Sequence, residues 1–140
     1  MTEKFKILAK YIKDMSSETP NVETFLFVKD YIEKYQLNID ITSKALKNKM
    51  VEINTTLKFE DKGTNEKKSY FEMVYATIIK VDEGINEKKD LEKIILCDVP
   101  TKIYPKLEAA FLNLVHNSGH PDIKLEKKID FEKLYNERLN

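Results

Sequence analysis

The stretch Met50–Val81, MVEINTTLKFEDKGTNEKKSYFEMVYATIIKV, decides how the rest of the chain is read. In its first part Val51, Ile53, Thr55, Leu57 and Phe59 alternate with Glu52, Asn54, Thr56, Lys58 and Glu60. A period of two belongs to a strand with one dry face and one wet face. Asp61–Glu66 then interrupts the pattern with turn residues, Gly63 and Asn65 among them. A second apolar run from Tyr70 to Ile79 returns, so the stretch predicts a β-hairpin whose arms are about ten residues, roughly 30 Å, long.

The two arms differ. In the second, Phe71, Met73, Tyr75, Thr77 and Ile79 make one set and Tyr70, Val74, Ala76 and Ile78 the other, with Glu72 the single charge. A strand apolar on both sides is central in its sheet and covered twice. Helices, another subunit or a ligand would have to supply the second cover.

Toward the N-terminus, Phe5–Lys13 reads as a first strand. Phe5, Ile7, Ala9 and Tyr11 fall on one side and Lys6, Lys10 and Asp14 on the other, while Leu8 and Ile12 break the pattern. Asp14–Asn21, with Pro20 unable to donate to a ladder, ends it. Phe25–Tyr35 fits a helix or an irregular crossover equally. Leu37, Ile39 and Ile41 mark a second short strand, and Ser43–Lys49 a polar connection into the hairpin.

Toward the C-terminus the period changes. Asp82–Asn86 is a turn, Glu87–Cys97 a helical turn or two, and Pro100 closes that piece near the start of the next helix. Ile103, Leu107, Ala110, Phe111, Leu114 and Val115 form a helical stripe, which places Pro105 in or near a first turn. Asn117-Ser118-Gly119 stops it, with Pro121 just beyond. Asp130 is an N-cap for a last helix presenting Phe131, Leu134, Tyr135 and Leu139. The predicted class is α+β: a four-stranded antiparallel sheet followed by a long helix and a C-terminal helix.

Composition narrows the function. With 140 residues the chain reads as one domain, 1–140, that needs no disulfide or metal to fold. Lys+Arg and Asp+Glu are equal at 24 each, so bulk charge favours neither nucleic acid nor an anionic membrane as partner. Three glycines and no phosphate-loop pattern disfavour nucleotide binding. Cys97 is the only cysteine, which excludes an internal disulfide and a cysteine-based zinc site and reads as a small core residue. No run has signal-peptide or membrane-span length, so the expected compartment is the cytoplasm, with no membrane insertion. His116 and His120 are four apart, but Gly119 and Pro121 break the helix there. They read as C-terminal histidines near the dipole and not as metal ligands. No catalytic constellation, metal site or cofactor motif emerges, and the chain is not expected to be an enzyme. Aromatics are the excess: seven Phe and seven Tyr, with Phe25, Phe27, Tyr31 and Tyr35 crowding the crossover. They make either a satellite core or an adaptable apolar groove.

Four segments together resemble SecB, the bacterial protein-export chaperone family. Tyr11–Asn21 is similar to its first strand and turn, and Phe71–Ala76 to its central strand. Val99-Pro100 through Tyr104-Pro105 is similar to the start of its long helix, and His120–Ile123 with Ile129–Phe131 and Leu134-Tyr135 to its closing segment. The resemblance spans nearly the whole chain. It implies a homotetramer, a dimer of dimers, in which sheets pair across the dimer and the long helices, here Lys102 to Asn117, are sandwiched between dimers. Leu107, Phe111 and Leu114 would then serve the tetramer interface. It implies ATP-independent binding of unfolded preproteins and their delivery to the SecA motor ATPase of the Sec translocase. The motor contact would fall on Asp14, Glu18, Tyr70 and Glu72, and the client groove on Phe25, Phe27, Tyr31, Leu37, Phe131, Leu134 and Tyr135. Tyr31 stands where the family often has tryptophan, and the balanced charge departs from its usual acidity. A chaperone of this fold devoted to one partner, such as an antitoxin, is the alternative implied by the same groove.

Overall fold

A computed structural model describes residues 4–63, 65–125 and 129–139. Met1–Glu3, Thr64 of the hairpin turn, residues 126–128 of the connection to the last helix, the Leu139 side chain and Asn140 lie outside the described residues. The elements run β1 (Phe5–Glu18), α1 (Val22–Tyr31), a 3₁₀ turn (Ile32–Lys34), β2 (Gln36–Ala45), β3 (Met50–Glu60), β4 (Tyr70–Val81), α2 (Lys88–Lys93), a π-helical segment (Ile94–Asp98), α3 (Val99–Asn117) and α4 (Phe131–Leu139). The sheet is antiparallel throughout and ordered β1-β4-β3-β2. The hairpin lies at its centre, with β4 between β1 and β3.

Alternation in β3 is reproduced residue by residue. Val51, Ile53, Thr55, Leu57 and Phe59 are buried, and the residues between them are half-buried on the other face. Register sets Phe59 opposite Phe71, Leu57 opposite Met73 and Ile53 opposite Thr77, so the inner face of the hairpin is one apolar plate. Helix α3 lies on it and contributes Ile103, Leu107, Phe111 and Val115 to the same core. The outer set of β4 has no such roof: Tyr70, Glu72, Val74 and Ile78 stay half-exposed. Of the possible second covers, none comes from within the described chain.

β1 is longer than the alternation implied and runs through Asp14 to Glu18. Its register against β4 slips between Ile7 and Ala9 and again between Ile12 and Asp14. Each slip is a bulge that carries one unpaired residue and reverses the alternation beyond it. The out-of-pattern Leu8 is the first of these. Ala9 and Tyr11 consequently lie on the face opposite Phe5 and Ile7, while Lys10 and Ile12 take the inner face. Because β1 is an edge strand, Leu8, Tyr11, Ile12 and Met15 remain exposed.

The crossover resolves as helix α1. Asn21 Oδ1 accepts the Thr24 N–H at 2.9 Å and so caps it. Between β2 and β3, Asn48 and Lys49 both take positive φ (61° and 58°), the two-residue hairpin conformation that matches strand twist. The Lys49 ammonium donates to the carbonyls of Glu83 and Ile85 at 2.8 and 2.9 Å, tying this turn to the start of the helical half.

From Lys88 to Asn117 the backbone is helical without interruption. Pro100 therefore closes nothing. The wider π turn, marked by the Val99 N–H bonding to the Ile94 carbonyl, comes immediately before it. It relieves the clash that a proline ring makes with the carbonyl four residues back. Pro105 is an interior helical residue, not a first-turn one. The helix ends as predicted: Gly119 has φ 105°, and Asp130 Oδ1 accepts the Lys133 N–H at 3.0 Å to start α4. No described helix is long and apolar enough to cross a membrane.

Candidate functional site: an apolar crossover and an open sheet face

α1 is apolar in more directions than one helix needs. Thr24 and Val28 are buried against the core, while Val22 and Leu26 on the far side are 63% and 58% exposed. Phe27 stacks on Tyr31, with ring centroids 4.6 Å apart and planes at 26°, and the Lys34 ammonium sits 5.3 Å from the Tyr31 ring. Phe27 and Leu37 are half-buried at the margin of the core. Phe25 instead turns inward onto the end of α3, its ring 5.4 Å from that of His120.

The seven residues expected to line one groove do not meet in the single chain. Phe131 and Tyr135 are buried, at 4% and 6% exposure. Phe131 packs edge-on to Tyr104 (centroids 5.5 Å apart), and the Tyr135 hydroxyl donates to the Lys89 carbonyl at 3.5 Å. They fasten α4 to the early part of the long helix, whereas α1 sits at its far end. Tyr104 to Asn117 alone is about 20 Å of helix. Leu134, 49% exposed, is the one α4 member left for a ligand. Val22 and Leu26 were missed because helical period shows which residues share a face, not which face is left bare.

Leu107 and Phe111 are fully buried under the sheet, so a second copy cannot reach them; the aromatic plate of the hairpin needs them as its own cover. Leu114 is half-buried. The outward side of α3 carries Ala109 and Asn113, with Leu112 and His116 half-buried beside them.

Asp14, Glu18, Tyr70 and Glu72 do come together. Glu18 pairs with Tyr70, Ser16 with Glu72 and Asp14 with Val74, which puts all four on the outer sheet face. The Tyr70 hydroxyl donates to Glu72 Oε2 at 2.6 Å, and Lys58 Nζ lies 3.8 Å from Glu72 Oε1. Partial burial, then the Glu72 hydrogen bond, then the charges of Glu72, Glu60 and Glu18 push the Tyr70 phenol up to about 12. Glu72 is therefore not a lone charge. Lys58 was legible as a wet-face residue of β3, but only the hairpin register sets it opposite Glu72.

The histidines part company. His116 Nε2 bonds the Ile123 carbonyl at 2.7 Å. His120 lies past the helix end, buried between Phe25 and Phe71, with no partner for Nε2 among the described residues, and burial holds its pKa below the ordinary value. Cys97 is buried, and desolvation first of all pushes its thiol up. Among the described residues no His, Cys, Asp or Glu cluster could hold a metal ion.

An open-faced antiparallel sheet backed by one long helix, with an aromatic crossover bared at its end, places the chain in the class of protein-export chaperones. The chain matches the family model described as "Preprotein translocase subunit SecB" over residues 1–140, and it belongs to the SecB family. It is 59% identical, over all 140 residues and the full length of both chains, to the "Putative protein-export protein SecB" of Pelagibacter ubique. It is 26% identical over 133 residues to the "Protein-export protein SecB" of a Bradyrhizobium species, covering 95% of this chain and 80% of that one. A solved Mycobacterium tuberculosis SecB-like chaperone, in complex with a peptide from an antitoxin, shares the fold. Its TM-score is 0.63 at 12% identity, over 89% of this chain and 91% of that one.

Proposed function

We propose that residues 1–140 form one cytoplasmic, ATP-independent holdase that binds unfolded preproteins and passes them to the SecA motor of the Sec translocase. The single observation that carries this reading is the bared apolar surface of α1: Val22, Leu26 and Tyr31, with Phe27 stacked beneath. A chaperone for many clients gains from contact of this kind, because apolar burial is non-directional.

The energetics call for several copies. Burying one such side chain yields about 1.5–3 kcal/mol, and even a millimolar complex needs about 4 kcal/mol net. One crossover is too weak. Four crossovers on a homotetramer, engaged by one flexible chain, add through effective concentration. The exposed edge of β1, with Tyr11, Ile12 and Met15, supports sheet pairing between two protomers, and the outward side of α3 is left for the contact between dimers.

Asp14, Glu18, Tyr70 and Glu72 on the outer sheet face are the proposed motor contact, which leaves client and motor on different surfaces. The test is a pair of titrations. In Glu72→Lys, motor affinity at low salt falls while an unfolded client is still held; unchanged motor affinity overturns the assignment. In a dimer made by disrupting the contact between dimers, short peptides bind as before and long unfolded clients bind poorly. Equal retention of long clients by the dimer refutes the multivalent mechanism, and retention of a single protein alone would mark a dedicated chaperone.

A further inference from the structure

The bulk balance of charge conceals a segregation along the outer sheet face. Strand register orders that face in rows. At the end near Pro20 stand Glu18, Glu60, Glu72, Asp14 and Asp40; among the described residues Lys58 opposes Glu72 there, and Lys68 lies at the margin beside Glu18 and Tyr70. At the other end Lys6 is paired directly with Lys80, and Lys44 faces Glu52. Lys13, the unpaired residue of the second bulge, spans to Glu52 Oε1 at 2.9 Å. One end is an acidic pole and the other a basic one. Glu72 and Lys80 lie eight residues apart on one strand, about 26 Å.

Two observations mark the basic pole as built for a partner. Like charges directly opposite one another on a sheet are destabilising, yet Lys6 and Lys80 occupy such a pair. Among the described residues neither has a carboxylate within ion-pair distance, nor does Lys44, and all three are exposed. The poles do not cancel at their far ends: Glu72 and Lys80 stand about three screening lengths of about 8 Å apart at physiological salt, while Asp40 and Lys44 approach to about 13 Å on β2. A flat anionic membrane or a nucleic acid laid along this face would meet six carboxylates, Glu52 included.

We infer that the basic pole at Lys6, Lys44 and Lys80 is a second docking contact on the outer sheet face, and that it takes an acidic surface of the same protein partner whose basic surface meets the acidic pole. The partner then lies along the strands in one orientation, since reversal sets like charges against like at both ends. This rests on the motor-docking reading of Asp14, Glu18, Tyr70 and Glu72.

The experiment compares the full chain with a basic-pole variant, Lys6→Glu/Lys44→Glu/Lys80→Glu, and an acidic-pole variant, Glu18→Lys/Glu72→Lys. Association with purified motor is followed at about 50 mM and about 300 mM salt, where screening lengths differ severalfold. Circular dichroism and native mass verify fold and assembly; Lys6, Lys44 and Lys80 are exposed, whereas Glu72 is half-buried on Tyr70, so a thermal melt of the acidic-pole variant is included. The expected result is a loss of about tenfold in association rate at low salt for each variant, largely gone at high salt. Normal association by the basic-pole variant beside impaired association by the acidic-pole variant overturns the second contact and leaves motor docking intact. Normal association by both overturns motor docking itself. A basic-pole variant that changes native mass instead identifies the occupant as a second copy of this chain, and the inference fails.

Discussion

Phe25 and Gly119 are in such close contact that a Cβ on Gly119 would collide with the phenyl Cε1. Gly119 also has φ 105°, a region that side chains rarely adopt. The joint between α1 and the end of α3 thus depends on the absence of one methyl group. Gly119→Ala is expected to destabilise the protein by about 1–3 kcal/mol from backbone strain and overpacking together. Denaturant unfolding checks this; a midpoint matching the parent sequence would show that the ring moves aside without cost.

His120 completes the same joint, and burial lowers its pKa. The sign follows from proton uptake. A histidine in the unfolded chain titrates near 6.5, and the folded one below that, so between those values the unfolded state holds more protons. Stability is insensitive to this group above about pH 7 and falls as pH drops through 6.5 toward the folded pKa. Melting temperatures at pH 7.5 and 5.5 should show a decline that is smaller in His120→Phe. An equal decline in both would assign the acid sensitivity elsewhere.

Phe111 separates core from interface. Fully buried within one chain, it should cost about 3–5 kcal/mol when cut back to alanine. That loss should be the same at every protein concentration, as a contact between copies would not be. Unfolding across a hundredfold dilution series makes the distinction.

Leu26, by contrast, is mostly exposed. Leu26→Ser should leave stability within about 0.5 kcal/mol of the parent sequence. Short apolar peptides should bind about fivefold more weakly, corresponding to about 1 kcal/mol of lost contact. Titration calorimetry with one such peptide reads both affinity and stoichiometry, and undiminished binding would move the client surface off α1.

On β1, Ile12→Lys places a charge among the apolar residues of the sheet's free edge. The native mass should fall toward that of smaller assemblies, with secondary structure unchanged. An unaltered mass would mean that protomers meet elsewhere.

Within the proposed client surface, Tyr31 was legible because aromatics concentrated in the crossover, but the burial of Phe131 and Tyr135 was not. Their helical spacing fits a groove wall as well as an anchor, and the choice depends on Tyr104 and Lys89, distant in sequence. The proposed motor contact was more readable. Strand alternation assigns Glu72 to a face, though its partners Tyr70 and Lys58 acquire meaning only from distance and register.

By itself the sequence determined the hairpin, the wet and dry faces of β3, the caps at Gly119 and Asp130, and the α+β order, because each rests on residues close in the chain and on steric rules that act locally. Tertiary structure alone decided the two bulges of β1, the unbroken helix through Pro100 and Pro105, the burial of Leu107 and Phe111, and the parting of α1 from α4. Those outcomes depend on which surfaces compete to cover the hairpin's apolar plate. That competition is settled by volume and contact between segments far apart, and no periodicity records it.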